Sequence, residues 1–373
     1  MSDMEVVIVG GGPAGLTTAL SIARHAPALR GRIVVLERAT YPREKICAGA
    51  VSGRAWNTLA SLGAEPRVPA VPVGGFDLEG RRRTAKARIG RAGFVIRRAE
   101  FDADLAQHVL EAGVRVQDGT RVEEVVESDQ GAVLRTSAGI LRTRFVVGAG
   151  GVGCMVRRRL GLGGGRLRAQ VVEVDTEPSR FDSEDGALRF DGGRDNLTGY
   201  VWDFPTIVEG KLRVCRGVYQ LRDTAAPQHA RGPDVTDLLR RHLADRGVVA
   251  DHGRFKRFGE RGYEPGVAIA SRRCMLVGES AGVDPVTGEG IGPSIEAGLL
   301  AGRFLSAMVN ERRDSVEGWS RRLRRSAVGL DLAARSLVAT HLLLRRRRLL
   351  DRLLTSQNYA LLAGAHYFAG RAF

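Results

Sequence analysis

The sequence predicts an α/β chain, α+β overall. It should hold a Rossmann-like dinucleotide domain, an antiparallel-sheet domain and a C-terminal helical segment. Three observations predict this. A fully apolar run, Val6 to Val9, leads directly into Gly10-Gly11-Gly12-Pro13-Ala14-Gly15. Alternating, β-rich stretches fill Leu167 to Phe258. From about Glu317 onward Leu, Ala and Arg dominate in a helical pattern. A length of 373 residues accommodates two or three domains.

Val6 to Val9 reads as a parallel strand buried on both faces. The glycine run after it is GxGxxG, with Gly10, Gly12 and Gly15 at its three positions. The first glycine permits the tight turn, the second lets a pyrophosphate approach the backbone, and the third lets helix and strand pack closely. Pro13 and Ala14 open the helix that follows, whose N-terminal N–H groups and dipole favour phosphate. A second strand, Ile33 to Leu36, ends in Glu37, the acid expected to accept from ribose hydroxyls. This context predicts a dinucleotide site and does not by itself separate FAD from NAD.

Composition narrows the class. The chain is 43% hydrophobic and 27% charged, which fits a folded globular protein and excludes a disordered one. No run nears the ~18 uninterrupted apolar residues of a membrane span. The N-terminus passes from Asp3 and Glu5 straight into strand without the basic region of a signal peptide, so a cytoplasmic location is expected. Net charge is +15, and because Lys45, Lys86, Lys211 and Lys256 are the only lysines, the bias is almost all arginine. Genome composition explains such a bias, as does attraction to nucleic acid, an anionic membrane surface or a phosphorylated ligand. No nucleic-acid signature accompanies it, so no nucleic-acid partner is expected. Cys47, Cys154, Cys215 and Cys274 are widely spaced, with no CxxC and no HExxH, so thiols are expected and no metal site.

Three further segments carry a family resemblance. Glu37 to Ala55 (ERATYPREKICAGAVSGRA) resembles the loop that runs along the flavin in the geranylgeranyl reductase family. Phe94 to Val116 resembles that family's R-x-x-FD-x-x-L segment, with Arg98 in the arginine position. Leu276 to Gly302 resembles its GDAAG-x-x-P-x-TGEGI motif, a strand, a glycine loop and a helix whose N-terminus faces the flavin. The resemblance implies FAD and a Rossmann-like FAD domain of the p-hydroxybenzoate hydroxylase type. It also implies cofactor contacts at Glu37, Arg38, Lys45, Ala48, Gly49, Arg98, Val122, Gly278, Glu279, Pro285, Gly288, Gly290, Ile291 and Gly292. The chain departs from the pattern at Gly150 (Asp in the class), Cys154 (Ser), Glu279 (Asp) and Ala48 (Gly). The class Asp at position 150 is associated with flavin and NAD(P)H contacts. A cradle made mainly of backbone should survive these changes.

The FAD domain is expected from residues 1–75, 94–165 and 262–312, and the antiparallel sheet from 76–93 and 166–261, with 313–373 helical. Within the sheet, Gly199 to Pro205 resembles the family's Y-x-W-x-FP strand, and alternation puts Tyr200, Trp202 and Phe204 on one face. That face is either plain core or the wall of a hydrophobic substrate channel. Leu337 to Leu354 sets four arginines between leucine clusters. It reads as a helix packed on the body, or as a basic amphipathic helix in peripheral contact with a membrane.

The sequence shows no Ser-His-Asp, paired-carboxylate or P-loop arrangement, and a flavin would need none. The resemblance implies hydride transfer from reduced FAD to a carbon–carbon double bond in a hydrophobic, prenyl or lipid substrate. Such a reaction needs a proton donor, and Cys47 is the residue singled out for it. The competing reading is a monooxygenase that hydroxylates or epoxidises a hydrophobic substrate. A halogenase is disfavoured, because its GWxWxIP motif is absent. A non-enzymatic flavoprotein serving as a binding partner is the reading from a different class. NADPH, NADH and ferredoxin all stay open as electron donors.

Overall fold

The computed structural model describes residues 4–356 apart from 184, 195, 227–231, 250–254, 347, 350, 351, 353 and 354. The chain begins β1 (Met4–Val9), α1 (Pro13–His25), β2 (Ile33–Leu36), β3 (Ala50–Ser52), α2 (Gly53–Ser61), β4 (Ala70–Glu79), β5 (Thr84–Ile96) and α3 (Arg98–Glu111). Next come β6 (Arg115–Gln117), β7 (Val122–Ser128), β8 (Gly131–Thr136), β9 (Gly139–Gly148) and α4 (Met155–Arg159). Then follow β10 (Leu167–Thr176), β11 (Leu188–Asp191), β12 (Gly199–Val208), β13 (Lys211–Asp223), α5 (Val235–Asp245), β14 (Lys256–Arg261) and β15 (Cys274–Leu276). The last elements are α6 (Ile291–Asn310), α7 (Trp319–Arg324) and α8 (Ala327–Val338).

One sheet has the order β6-β2-β1-β9-β8-β7, with β15 also on β9. The β2-β1-β9-β15 core is parallel, and β7-β8-β9 form an antiparallel flank. All six residues of β1 and all four of β2 are buried, as the apolar runs Val6 to Val9 and Ile33 to Leu36 require, and Glu5 is paired with Arg32 at 2.8 Å.

The second sheet has the order β14-β10-β13-β12-β11-β4-β5-β3. The expected boundaries at 75/76 and 93/94 fall inside β4 and β5, and β3 joins this sheet as well. The sequence hid this because β4 carries a register shift between Val73 and Gly75, which breaks the alternation a strand is read from. The two faces of β12 pack differently. Tyr200, Trp202 and Phe204 meet an apolar layer with Phe190, Cys215 and Tyr219. Val201 meets Val218 and the leucines of α5 on the reverse.

The described part of the C-terminal segment is largely helical, but Leu337 to Leu354 is not one continuous helix. α8 ends at Val338 and a π-helical turn, Ala339–Leu343, follows. That extra residue in the turn carries Ala339 and Leu343 into the apolar layer of the second sheet. Leu337 and Leu349 stay exposed, and part of 347–354 lies outside the described residues. Among the described residues no helix is long and apolar enough to cross a membrane.

Candidate active site

The N-terminal glycines divide by role. Gly10 has φ +118°, and a Cβ there would collide with the carbonyl of Ala149, the residue after β9. Gly12 faces open space instead, for a Cβ there would meet only Arg98 Nη2 at 3.7 Å and Arg43 Nη2 at 3.8 Å. Gly12 also caps α1 without any side-chain hydrogen bond, and Pro13 takes the first helical position. The first turn of α1 therefore opens onto a space walled by two guanidinium groups, which suits a pyrophosphate.

Glu37 fastens this loop. Its Oε2 accepts the Gly11 N–H at 2.8 Å and its Oε1 accepts the Ala39 N–H at 3.1 Å. Arg43 donates to the Gly11 carbonyl at 3.0 Å and pairs with Asp102 at 3.0 Å. Arg98 forks onto the fully buried Asp102 at 2.8 and 2.7 Å. The Tyr41 hydroxyl also donates to the Gly11 carbonyl. The sequence reading gave no cofactor-site role to Arg43, Tyr41 or Asp102, although all three lie in the quoted segments. Arg38 is exposed, and Val122 is buried in the core at the start of β7.

The C-terminal glycine motif sits beside this one. Gly298 and Gly302 let α6 lie against Ala14, Thr18 and Ser21 of α1, so the two helices run parallel in close contact. A Cβ on Gly278 would stand 2.6 Å from the Ala14 Cβ and 2.8 Å from Ser294 Oγ, which brings the first turns of both helices together. α6, capped by Gly290, likewise lacks a side-chain cap. Glu279 Oε1 is buried without a hydrogen-bond partner among the described residues, a position open to a ligand donor. The Asp-to-Gly departure also has a local reason. A Cβ on Gly150 would come within 3.2 Å of the Cys154 Cα, so the turn is tight around the residue it has. Cys154 itself is core.

Beyond the 288–291 loop lies a cavity of about 620 Å³, counting its open mouth. Cys47, Ala48, Gly49, Tyr200, Trp202, Phe204, Gly288, Gly290 and Ile291, all marked in the sequence, line it together. Gly292 lies just behind, against Glu289 and Ser52, and the Pro285 carbonyl accepts the Tyr219 hydroxyl at 2.9 Å. The wall is aromatic. Tyr200 stacks on Tyr219 at 5.4 Å and 18°, and Phe190 meets Phe204 edge-on at 5.1 Å. Trp202 and Phe204 are only 4% and 5% exposed, so this face is both core and cavity wall. Lys45 lies over the Phe258 ring at 5.5 Å.

The polar groups of this region are unusual. Burial pushes the Cys47 thiol up against the pull of Arg98, so it stays protonated, and its Sγ accepts the Gly49 N–H at 3.4 Å. The Cys47 N–H donates to Glu173, whose carboxyl burial and neighbouring Asp175 push up to about 7. Burial also takes Glu289 up to about 7, opposed by Arg335. Arg335 of α8 reaches Asp284 at 2.6 Å, Glu289 at 3.3 Å and Asp331 at 3.1 Å, tying the C-terminal helix to the glycine loop. Sequence reasoning missed Arg335. Its only signal was the i, i+4 spacing from Asp331 in a helical stretch.

The model of a family described as FAD binding domain matches residues 3–317. The chain belongs to this family. It is an FAD-dependent oxidoreductase, and its α/β architecture is the one expected from the glycine motifs. A digeranylgeranylglycerophospholipid reductase of Methanothrix thermoacetophila is 29% identical, over 84% of this chain and 80% of its own. A rifampicin monooxygenase of Streptomyces venezuelae is 25% identical, over 85% of this chain but 65% of its own length. A solved geranylgeranyl bacteriochlorophyll reductase-like protein of Thermoplasma acidophilum has the same fold, with TM-score 0.75 and 19% identity over 98% of this chain and 96% of the other. The flavoprotein's own residues fit FAD. The space at Gly12 under Arg43 and Arg98, the paired uncapped helix starts and the unpartnered Glu279 oxygen each offer what a dinucleotide needs.

Proposed function

We propose that this flavoprotein reduces a carbon–carbon double bond in a hydrophobic substrate of prenyl type. The observation that carries the reading is the cavity wall. It is lined by Tyr200, Trp202, Phe204, Tyr219, Phe190 and Phe258, it includes the carboxyls Glu260 and Glu289, and its described lining contains no cation. Such a wall suits an apolar chain and disfavours a small aromatic acid, which would need a positive partner. The likeness to a reductase of digeranylgeranylglycerophospholipid supports the same substrate class.

In this reading Gly12, Arg43, Arg98 and the first turns of α1 and α6 hold the cofactor's phosphates, and Glu37 stations the loop around them. Bound FAD supplies a hydride when reduced. The aromatic wall orients the alkene and excludes water, and a neutral acid on the wall provides the proton. The Cys47 thiol is one neutral acid on that wall, by its position and its protonated state. The likeness to rifampicin monooxygenase favours the second reading, oxygen insertion into the same apolar substrate. The deciding experiment reduces the purified protein without air, adds prenyl lipids, and repeats the reaction in air. Gain of two hydrogens supports the reductase, whereas gain of one oxygen overturns it in favour of the monooxygenase.

A further inference from the structure

Glu260 lies on the edge strand β14, paired in register with Ala169 of β10, and its carboxyl enters the aromatic cavity. Its Oε2 lies 2.8 Å from where a Cβ on Gly288 would stand, and the Tyr219 ring touches the same point. The carboxyl therefore abuts the glycine loop next to the cofactor motif. That oxygen is buried, and among the described residues it has no hydrogen-bond partner. The charged groups around it are Glu279, Asp284 and Glu173, with Lys45 the one cation among them. A charged oxygen in that position would have lost its water without gaining a donor. Burial first, and then the charge of Glu279, push the group well above the usual carboxylate range.

The other acids of the wall are already engaged. Cys47 Sγ accepts from Gly49, beside the Arg98 guanidinium that favours a thiolate. Glu289 is held by Arg335 at 3.3 Å. We propose that Glu260 is the proton donor of this cavity, giving its O–H proton to the alkene carbon that does not receive the hydride. The assignment rests on the reductase reading. One alkene carbon takes a hydride while the π bond breaks. The neighbouring carbon takes the Glu260 proton, and the O–H electron pair stays on the carboxylate. The two electrons gained by the alkene come from reduced flavin, which ends oxidised, and water returns the proton to Glu260.

The test uses the full chain with FAD and three variants: Glu260→Gln, Glu260→Asp and Cys47→Ser. Infrared difference spectra at neutral pH should show a protonated carboxyl band in the unaltered protein that is missing in Glu260→Gln. Anaerobic mixing of chemically reduced protein with a prenyl alkene should give flavin reoxidation slowed ~10²–10⁴-fold in Glu260→Gln, with partial recovery in Glu260→Asp. In the unaltered protein the reoxidation rate should fall as pH rises through the titration of that band, a result that needs no variant to fold. A band unchanged in Glu260→Gln overturns the proposal. So does reoxidation at the unaltered rate, a rate flat across the band's titration, or slowing confined to Cys47→Ser. An unaltered protein that shows the band yet reduces no alkene overturns the reductase reading and with it the donor role, while the neutral state of Glu260 stands.

Discussion

Gly12 and Gly10 make opposite demands on a substitution. Gly12→Val places its methyls in the space that Arg98 Nη2 and Arg43 Nη2 bound at 3.7 and 3.8 Å, while φ there is an ordinary −93°. The variant should fold normally and lose FAD, read by releasing and chromatographing the bound chromophore. Gly10→Ala meets the Ala149 carbonyl at a positive φ, so it should lose stability as well, visible as a lower denaturation midpoint. Full FAD occupancy in Gly12→Val would make the open space incidental. Gly12 could be singled out from sequence because strand, turn and helix are contiguous there. Arg43, Arg335 and Glu260 could not, because each owes its role to a partner or a void brought to it by distant chain.

At the scale of elements, α8 secures the glycine loop through one side chain. Arg335→Met would leave Asp284, which is fully buried, and Glu289 without their cation. Breaking a buried pair in this way costs about 3–5 kcal/mol, so the chemical denaturation midpoint should fall markedly. An unchanged midpoint would mean that the loop holds without α8. Strand β12 joins two tasks on one face, since the Trp202 ring lies across Gly217 and also lines the cavity. Trp202→Ala should therefore cost about 3–5 kcal/mol of stability. Calorimetry should also show an apolar ligand bound more weakly by about 2 kcal/mol or more. Lost stability with undiminished affinity would assign the ring to core alone. The period-two reading of Tyr200, Trp202 and Phe204 holds because β12 is long and regular, with unbroken pairing to β13 from Gly199 to Val208. The π turn after α8 was not legible, because helical periodicity does not report a slip of one residue.

Across the whole molecule, acid sensitivity should centre on the layer between the second sheet and α5. Burial alone would raise the Asp203 carboxyl. His242 at 2.8 Å, Arg216 at 2.7 Å and Arg246 at 3.0 Å outweigh it and hold the group well below the usual range. The stabilisation is complete above the ordinary aspartate value of about 3.9 and drains away as pH falls from there toward the depressed folded value. Denaturation midpoints between about pH 5 and pH 2 should fall for the unaltered protein and change less in Asp203→Asn. Equal slopes would place the acid-sensitive group elsewhere. The overall architecture was legible from local patterns, whereas the membership of β3 and of residues 70–75 and 94–96 in the second sheet was not. That membership depends on β11 pairing in parallel with β4, Leu188 beside Phe76, a contact between segments far apart in the chain. The same pairing governs the order of assembly during synthesis. When a ribosome has released the chain only as far as α4, every strand of the first sheet except β15 is available. β4, by contrast, paired only with β5, still presents an open edge where β11 will later join. Open edges invite pairing with other chains, so a nascent or truncated chain ending near residue 165 should need chaperone protection that the finished protein does not.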